Sequence, residues 1–126
     1  MVDHPQLPSA HLASVLSLPA DEGWDVGQSY RPSRSAPEQQ YQFSRWALRE
    51  TVTSLDELSV ALAALAQRVQ AIEHTFQHLP AGTTVSLTLF VTETDTVMGM
   101  GIAADVVALL ARIRAGIEIS LVVMRP

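Results

Sequence analysis

A chain of 126 residues and 13.7 kDa is long enough to enclose one sizeable apolar core, and a composition 48% apolar and 17% charged excludes an intrinsically disordered tail or linker. The net charge of −5, with no basic run, disfavours nucleic acid and anionic membranes, which both need clustered cations, and leaves a basic protein as the easier partner. With no cysteine, disulfides, thiolate nucleophiles and cysteine metal sites are excluded together, which suits a reducing, cytoplasmic setting.

The first eight residues hold Pro5 and Pro8 and show no periodicity, so 1–8 reads as an irregular N-terminus. Ser9 is placed to cap a short helix whose Leu12, Val15 and Leu16 share a face and which ends near Pro19. Residues 20–39 carry Asp21, Glu22, Gly23, Gly27, Pro32, Pro37 and several serines. That composition predicts a long surface loop, anchored by Trp24 and Tyr30, and makes the segment the first choice for a binding surface. Tyr41 to Leu48 suits a strand with Tyr41 and Phe43 pointing one way and Trp46 and Leu48 the other.

The strongest pattern follows. Leu55, Leu58, Leu62, Leu65, Val69, Ile72, Phe76 and Leu79 recur alternately three and four apart, which puts them on one stripe of a long α-helix opened by a Ser54–Glu57 capping box and closed by Pro80 and Gly82. Burying each such side chain is worth about 1.5–3 kcal/mol, so the stripe must be covered. The regular period also fits a zipper between two copies. Its flanks, however, carry Ala61, Ala63, Ala64 and Ala66 rather than charges, which favours burial beneath the protein's own sheet.

Val85, Leu87, Leu89 and Val91 alternate with Ser86, Thr88, Phe90 and Thr92 as a strand, and the polar stretch from Glu93 to Thr96 follows. A helix over Ala103 to Ala115, ended by Gly116, carries Val106, Leu109, Leu110 and Ile113 on one face. Ile117, Ile119, Leu121 and Val123 form the inner face of a last strand. The chain is therefore expected to be a single α+β domain over 1–126. It combines a small mixed or antiparallel sheet with helices packed mainly on one face.

No chemical motif survives its context. Gly99 to Ala104 matches a dinucleotide fingerprint, but about seven residues separate Val91 from Gly99, and Glu118, the would-be ribose partner, falls inside a strand. His74 and His78 have the spacing of a zinc pair on an α-helix, yet no third ligand is evident. All eight basic residues are arginines, so no lysine can form a Schiff base or serve a P-loop, and no Gly-x-Ser-x-Gly elbow occurs. No catalytic residue, cofactor or metal is assigned. No apolar run is long enough to span a membrane, and no signal peptide is evident.

The candidate contact residues are Asp21, Glu22, Asp25, Glu93 and Asp95 as an acidic patch for a basic protein, and Trp24, Tyr30, Arg45 and Trp46 as a pocket for an anionic or planar ligand. The short helix running into Leu18-Pro19, the loop with Trp24 and Gly27, the strand with Trp46 and Leu48, the Leu-Asp-Glu-Leu start at Leu55 to Leu58 and the closing 101–123 helix and strand resemble the bacterial domain-of-unknown-function family numbered 4279 over roughly residues 9–123. The resemblance implies a small α+β domain without an established activity, with some relatives linked to toxin–immunity systems. It also implies a strand ahead of the first helix, which 1–8 does not visibly supply. The absence of that strand would leave a sheet edge open or indicate a mis-called start. Three functions follow as expectations: a non-enzymatic interaction module of immunity type, a small-ligand domain, and a structural homodimer joined along the leucine stripe.

Overall fold

The computed structural model describes residues 1–52, 57–93 and 101–123, with the backbone alone at 90–93 and 119–123. The fold is α+β, and the chain divides into two compact units. One comprises Met1–Arg49 with Ile72–Thr84, and the other comprises Glu50–Ala71 with Val85–Pro126.

The first unit contains β1 (Val2–His4), α1 (Ser9–Leu16), β2 (Glu22–Trp24), β3 (Ser29–Tyr30), β4 (Gln39–Gln40), β5 (Ser44–Ala47) and a 3-10 helix at Glu73–His78. Strand β5 is central, antiparallel to β1 on one side and to β2 on the other. Residues 1–8 are thus not irregular: Val2–His4 pairs with Trp46–Ser44. Three residues are too few for alternation to show in the sequence, and the strand is defined by its partner. Its inward residues are Val2 and His4, both buried. The imidazole Nδ1 of His4 accepts the backbone N–H groups of Gln6 and Leu7, while Nε2 donates to the Ala81 carbonyl. This side chain closes the turn after β1 and ties it to the turn at Pro80–Thr83.

Helix α1 starts at Ser9 but is not capped by it. Pro8 occupies the N-cap position, and the chain leaves the helix at Ser17, whose φ of 57° is left-handed, two residues before Pro19. Leu12 and Leu16 are fully buried and Val15 partly so, and α1 packs on β5 and on the 3-10 helix. Trp46 is 2% exposed and its indole N–H donates to the Leu18 carbonyl, which fixes the exit of α1 to β5. Gly23 lies opposite Trp46 in register, and a Cβ there would run into the Arg45 carbonyl oxygen, so only glycine lets β2 approach.

The segment 20–39 is loop over most of its length, as at 31–38, but it is interrupted by the short strands β2 and β3 and runs into β4 at Gln39. Beyond β2, the backbones of Gly27 and Tyr41 and of Tyr41 and Gln28 are hydrogen-bonded at 2.8 and 3.0 Å, which seals the base of the β3–β4 hairpin. Short polar strands of this kind carry no hydrophobic alternation, so composition registers only their turns.

The second unit contains α2 (Leu58–Ala71), β6 (Thr84–Glu93), α3 (Ala104–Arg112) and β7 (Gly116–Val123). Strands β6 and β7 are parallel, with Leu87 opposite Ile117, and α3 is their crossover. Leu62, Leu87 and Leu89 form a buried cluster against which Leu58, Leu65, Ile102 and Leu110 pack. The leucine stripe is therefore covered at Leu62 by the molecule's own strand, with Leu58 and Leu65 partly buried beside it. It does not ride on one helix, however: α2 stops at Ala71, and the backbone N–H and hydroxyl of Thr75 both return to the Ile72 carbonyl, at 2.9 and 2.6 Å. That i→i−3 bonding tightens the chain into a 3-10 helix, and a hydroxyl bonding locally competes with α-helical continuation. Ile72, Phe76 and Leu79 consequently belong to the first unit, whereas Leu58 to Val69 belong to the second. Leu55 and the capping serine, Ser54, lie outside the described residues.

Val106, Leu109 and Ile113 of α3 are buried as the spacing predicts. The helix ends through Arg114 at φ 56°, with the Ala115 N–H returning to the Leu110 carbonyl, and Gly116 opens β7 instead of ending the helix. Ile117 departs from its expected inner-face role: at 43% exposure it is the second residue of β7, where its register partner Leu87 is covered and it is not. No described helix is long and apolar enough to cross a membrane.

Replacing Leu62 by alanine should cost about 2–5 kcal/mol, the range for emptying a core leucine site. Val60→Ala, on the same helix at 71% exposure, should change stability by less than about 0.5 kcal/mol. Urea denaturation of both variants at two protein concentrations checks this. A Leu62 deficit that disappears on dilution would place the stripe at a subunit interface instead.

Candidate functional site

Along β5 the side chains alternate, and the flank built on Phe43 and Arg45 is the chemically rich one. Ser44 and Trp46 face the other way and are buried. Arg45 is opposite Asp3 in the β1–β5 register and opposite Trp24 in the β2–β5 register. Its guanidinium makes a two-point bond to Asp3, Nε to Oδ1 at 2.8 Å and Nη2 to Oδ2 at 2.9 Å, with both side chains about one-fifth exposed. The same group lies over the rings of Trp24 at 4.7 Å and Phe43 at 5.1 Å. Cation–π contacts of this type are worth about 0.5–1 kcal/mol in the open and about 2 when desolvated.

From Trp24 the column continues by stacking. Tyr41 lies on Trp24 with centroids 4.2 Å apart and planes 11° off parallel, and Tyr30 lies on Tyr41 at 4.1 Å and 18°. The Tyr30 hydroxyl donates to Gln39 Oε1 across the hairpin. Five residues from four separate segments thus form one continuous pile, Asp3, Arg45, Trp24, Tyr41, Tyr30. All five are partly exposed. The Trp24 indole N–H is buried with no hydrogen-bond partner in the structure.

The acidic residues beside this column are engaged internally. Asp25 Oδ1 accepts the backbone N–H of Ser9 at 2.7 Å and its hydroxyl at 2.8 Å, so Asp25 supplies the N-terminal cap that Ser9 was expected to provide for α1. These two bonds, the backbone one first, hold the Asp25 carboxyl below its ordinary value against a small opposing effect of burial. Asp21 Oδ2 accepts the Arg49 N–H, and Glu22 pairs with the Arg49 guanidinium at 3.0 Å, an exposed ion pair that contributes little.

The nine predicted contact residues therefore divide. Asp21, Glu22, Trp24, Asp25, Tyr30 and Arg45 fall in the first unit around the column. Trp46 does not join them, because strict alternation along β5 sends it into the core. Glu93 lies on β6 of the second unit, and Asp95 lies outside the described residues. Tyr41 and Phe43 were missed as site residues, although their two-residue spacing from Arg45 is the signal that places all three on one flank. Arg45 lies in the column beside Trp24, and its fork is filled by Asp3 instead of standing open as an anion receptor. His74 and His78 sit exposed on the 3-10 helix, where three residues per turn removes the alignment that i, i+4 spacing has on an α-helix. Among the described residues no three potential ligands converge on a metal position. Gly99 and Met100 of the glycine motif lie outside the described residues.

Comparison with protein-family models, with curated proteins and with solved structures finds no match to this chain.

Asp25 has its native carboxyl value depressed relative to the unfolded chain, so its contribution is complete above the unfolded value of about 3.9 and is lost as pH falls through the lower native value. Asp25→Ala should be less stable than the wild type at pH 7, and the deficit should narrow below about pH 4. Urea midpoints at pH 7 and pH 3 test this, and a deficit unchanged by acid would remove the carboxylate from its capping role.

Proposed function

We propose that the protein is a non-enzymatic protein-interaction module, of the immunity-type class that the family resemblance implies, and that its contact surface is the aromatic flank of the first unit. The observation that carries this reading is the Arg45–Trp24–Tyr41–Tyr30 column. Here three large aromatic rings and an arginine are stacked along one flank with every member partly exposed. Tyrosine, tryptophan and arginine are the residues that concentrate binding energy at protein interfaces, because they offer large, stiff, amphipathic area at low entropic cost. A column that is already stacked needs no reordering on binding. Around it lie Gln28, Gln39, Gln40, Gln42 and Ser29, neutral donors and acceptors suited to an interface rim.

An anionic or planar small ligand is the weaker reading, since the guanidinium that would have received it is already bidentate to Asp3. A homodimer along the leucine stripe is weaker still, because Leu62 is covered by Leu87 and Leu89.

A photo-crosslinking residue placed at position 30 should give a covalent adduct with a protein in the native host, whereas the same residue at position 107, on α3, should not. With that partner purified, Tyr30→Ala should weaken binding about tenfold or more, as for a residue worth over 1 kcal/mol at an interface. Repeated absence of a protein adduct at position 30 would overturn the proposal.

A further inference from the structure

The hairpin that carries Tyr30 has the opposite electrostatic character from the rest of the protein. Between residues 26 and 43 the charged side chains are Arg31, Arg34 and Glu38, a net of 2 − 1 = +1 in a chain of net −5. Arg45, Arg49 and Arg68 have carboxylate partners, and Arg112 is also engaged. Arg31 and Arg34, by contrast, are exposed and form no ion pair among the described residues. The carboxylates nearest in sequence to the hairpin base, Asp21, Glu22 and Asp25, are held by the Arg49 backbone, the Arg49 guanidinium and Ser9. Of these carboxylates Glu22 is paired with a cation, while Asp21 and Asp25 are oriented by hydrogen bonds and keep their charge at the hairpin base; the two arginines toward the tip are exposed and make no ion pair among the described residues.

The tip is also shaped. The Ala36 N–H returns to the Ser33 carbonyl at 3.2 Å, closing a β-turn that holds Arg34 at its second position. Pro32 and Pro37 bracket the turn and fix φ on each side, and the Ser33 and Ser35 hydroxyls are 3.4 Å apart across it. Below the tip, the β3–β4 pairs and the Tyr30–Tyr41 stack hold the hairpin to the column. An arginine presented on a proline-bracketed turn loses less freedom on binding than one on a free loop, and a guanidinium fork matches a carboxylate at two points.

We infer that the Arg31–Pro37 turn selects the partner's charge: the segment that docks beside Tyr30 is an acidic stretch of protein carrying carboxylates for Arg31 and Arg34. This rests on the interaction-module reading and adds to it the chemistry of the partner. Two arginines in a chain of net −5 are too few to hold a polyanionic nucleic acid, whose affinity depends on neutralising several phosphates. They suffice to orient a short acidic peptide whose remaining contacts are made by the aromatic flank.

The test uses the intact protein and three fluorescein-labelled probes: a short peptide of glutamates around a central tyrosine, the same peptide with lysines for glutamates, and a single-stranded oligodeoxynucleotide of equal negative charge, all followed by fluorescence anisotropy. The glutamate peptide should bind at least about tenfold more tightly than the other two, and affinity should fall as salt is raised, as screening of exposed charges requires. Arg31→Glu with Arg34→Glu should lower affinity about tenfold or more and shift preference toward the lysine peptide. Arg31→Lys with Arg34→Lys should retain the sign preference. Circular dichroism of each variant should match the wild type. Binding without sign preference, binding unaffected by charge reversal, no peptide binding, or preferential binding of the oligodeoxynucleotide would each overturn the acidic-partner inference. In any of these cases a protein adduct at position 30 leaves the interaction-module reading standing, and its absence removes both.

Discussion

The first unit depends on one contact made from three directions, the guanidinium of Arg45. Asp3 grips its edge at two points, Trp24 and Phe43 cover its face, and the backbone that carries it pairs with β1 on one side and β2 on the other. A charge at this depth would be costly if any of these were missing, since a guanidinium taken partly out of water must be paired and covered at once. The pairing therefore sets register as well as energy. Sliding β1 by one residue would turn Asp3 away from Arg45 and turn Val2 and His4 out of the core. Strands of three and four residues, too short to hold alignment by apolar alternation alone, are indexed by this contact instead.

From that anchor the rest of the flank follows by geometry. Trp24 can lie over Arg45 because Gly23 lets β2 come close, and Tyr41 can lie on Trp24 because the hairpin base closes between Gly27 and Tyr41. The polar residues take structural posts that free α1 from needing a cap of its own: Asp25 reaches across to Ser9, and Gln28 Oε1 accepts the Asp25 N–H. The hairpin is thus held by a rigid scaffold, a stack of rings with a cation at its base.

What was legible in the sequence was what repeats. The 3–4 spacing of leucines, the alternation over 85–91 and the apolar face of 106–113 each report many side chains sharing one environment, and α2, β6 and α3 appear where those patterns lie. What was illegible was set by single partners. The strand at Val2–His4 exists because of β5, and the paired strands at Ser29–Tyr30 and Gln39–Gln40 carry no apolar alternation. The break after Ala71 is accompanied by a threonine whose hydroxyl and N–H both return to the Ile72 carbonyl, a local event that eight evenly spaced apolar residues conceal. The site was half legible for the same reason. Trp24, Tyr30 and Arg45 stood out by type, but their meeting with Tyr41 and Asp3 is a matter of register.

The first unit is not continuous along the chain: residues 1–49 are completed by 72–84, whose 3-10 helix packs on α1 and whose Ala81 carbonyl receives the His4 proton donor. Vectorial synthesis therefore delivers this body in two instalments. A nascent chain that has emerged only as far as Arg49 holds every member of the aromatic pile but not the 3-10 helix that packs on α1. Closing an interval of tens of residues costs chain entropy that grows only with the logarithm of its length, so the delay weighs on timing more than on final stability. The earlier-made part of this unit must wait for the later one, with the side of α1 that meets the 3-10 helix uncovered in the interim.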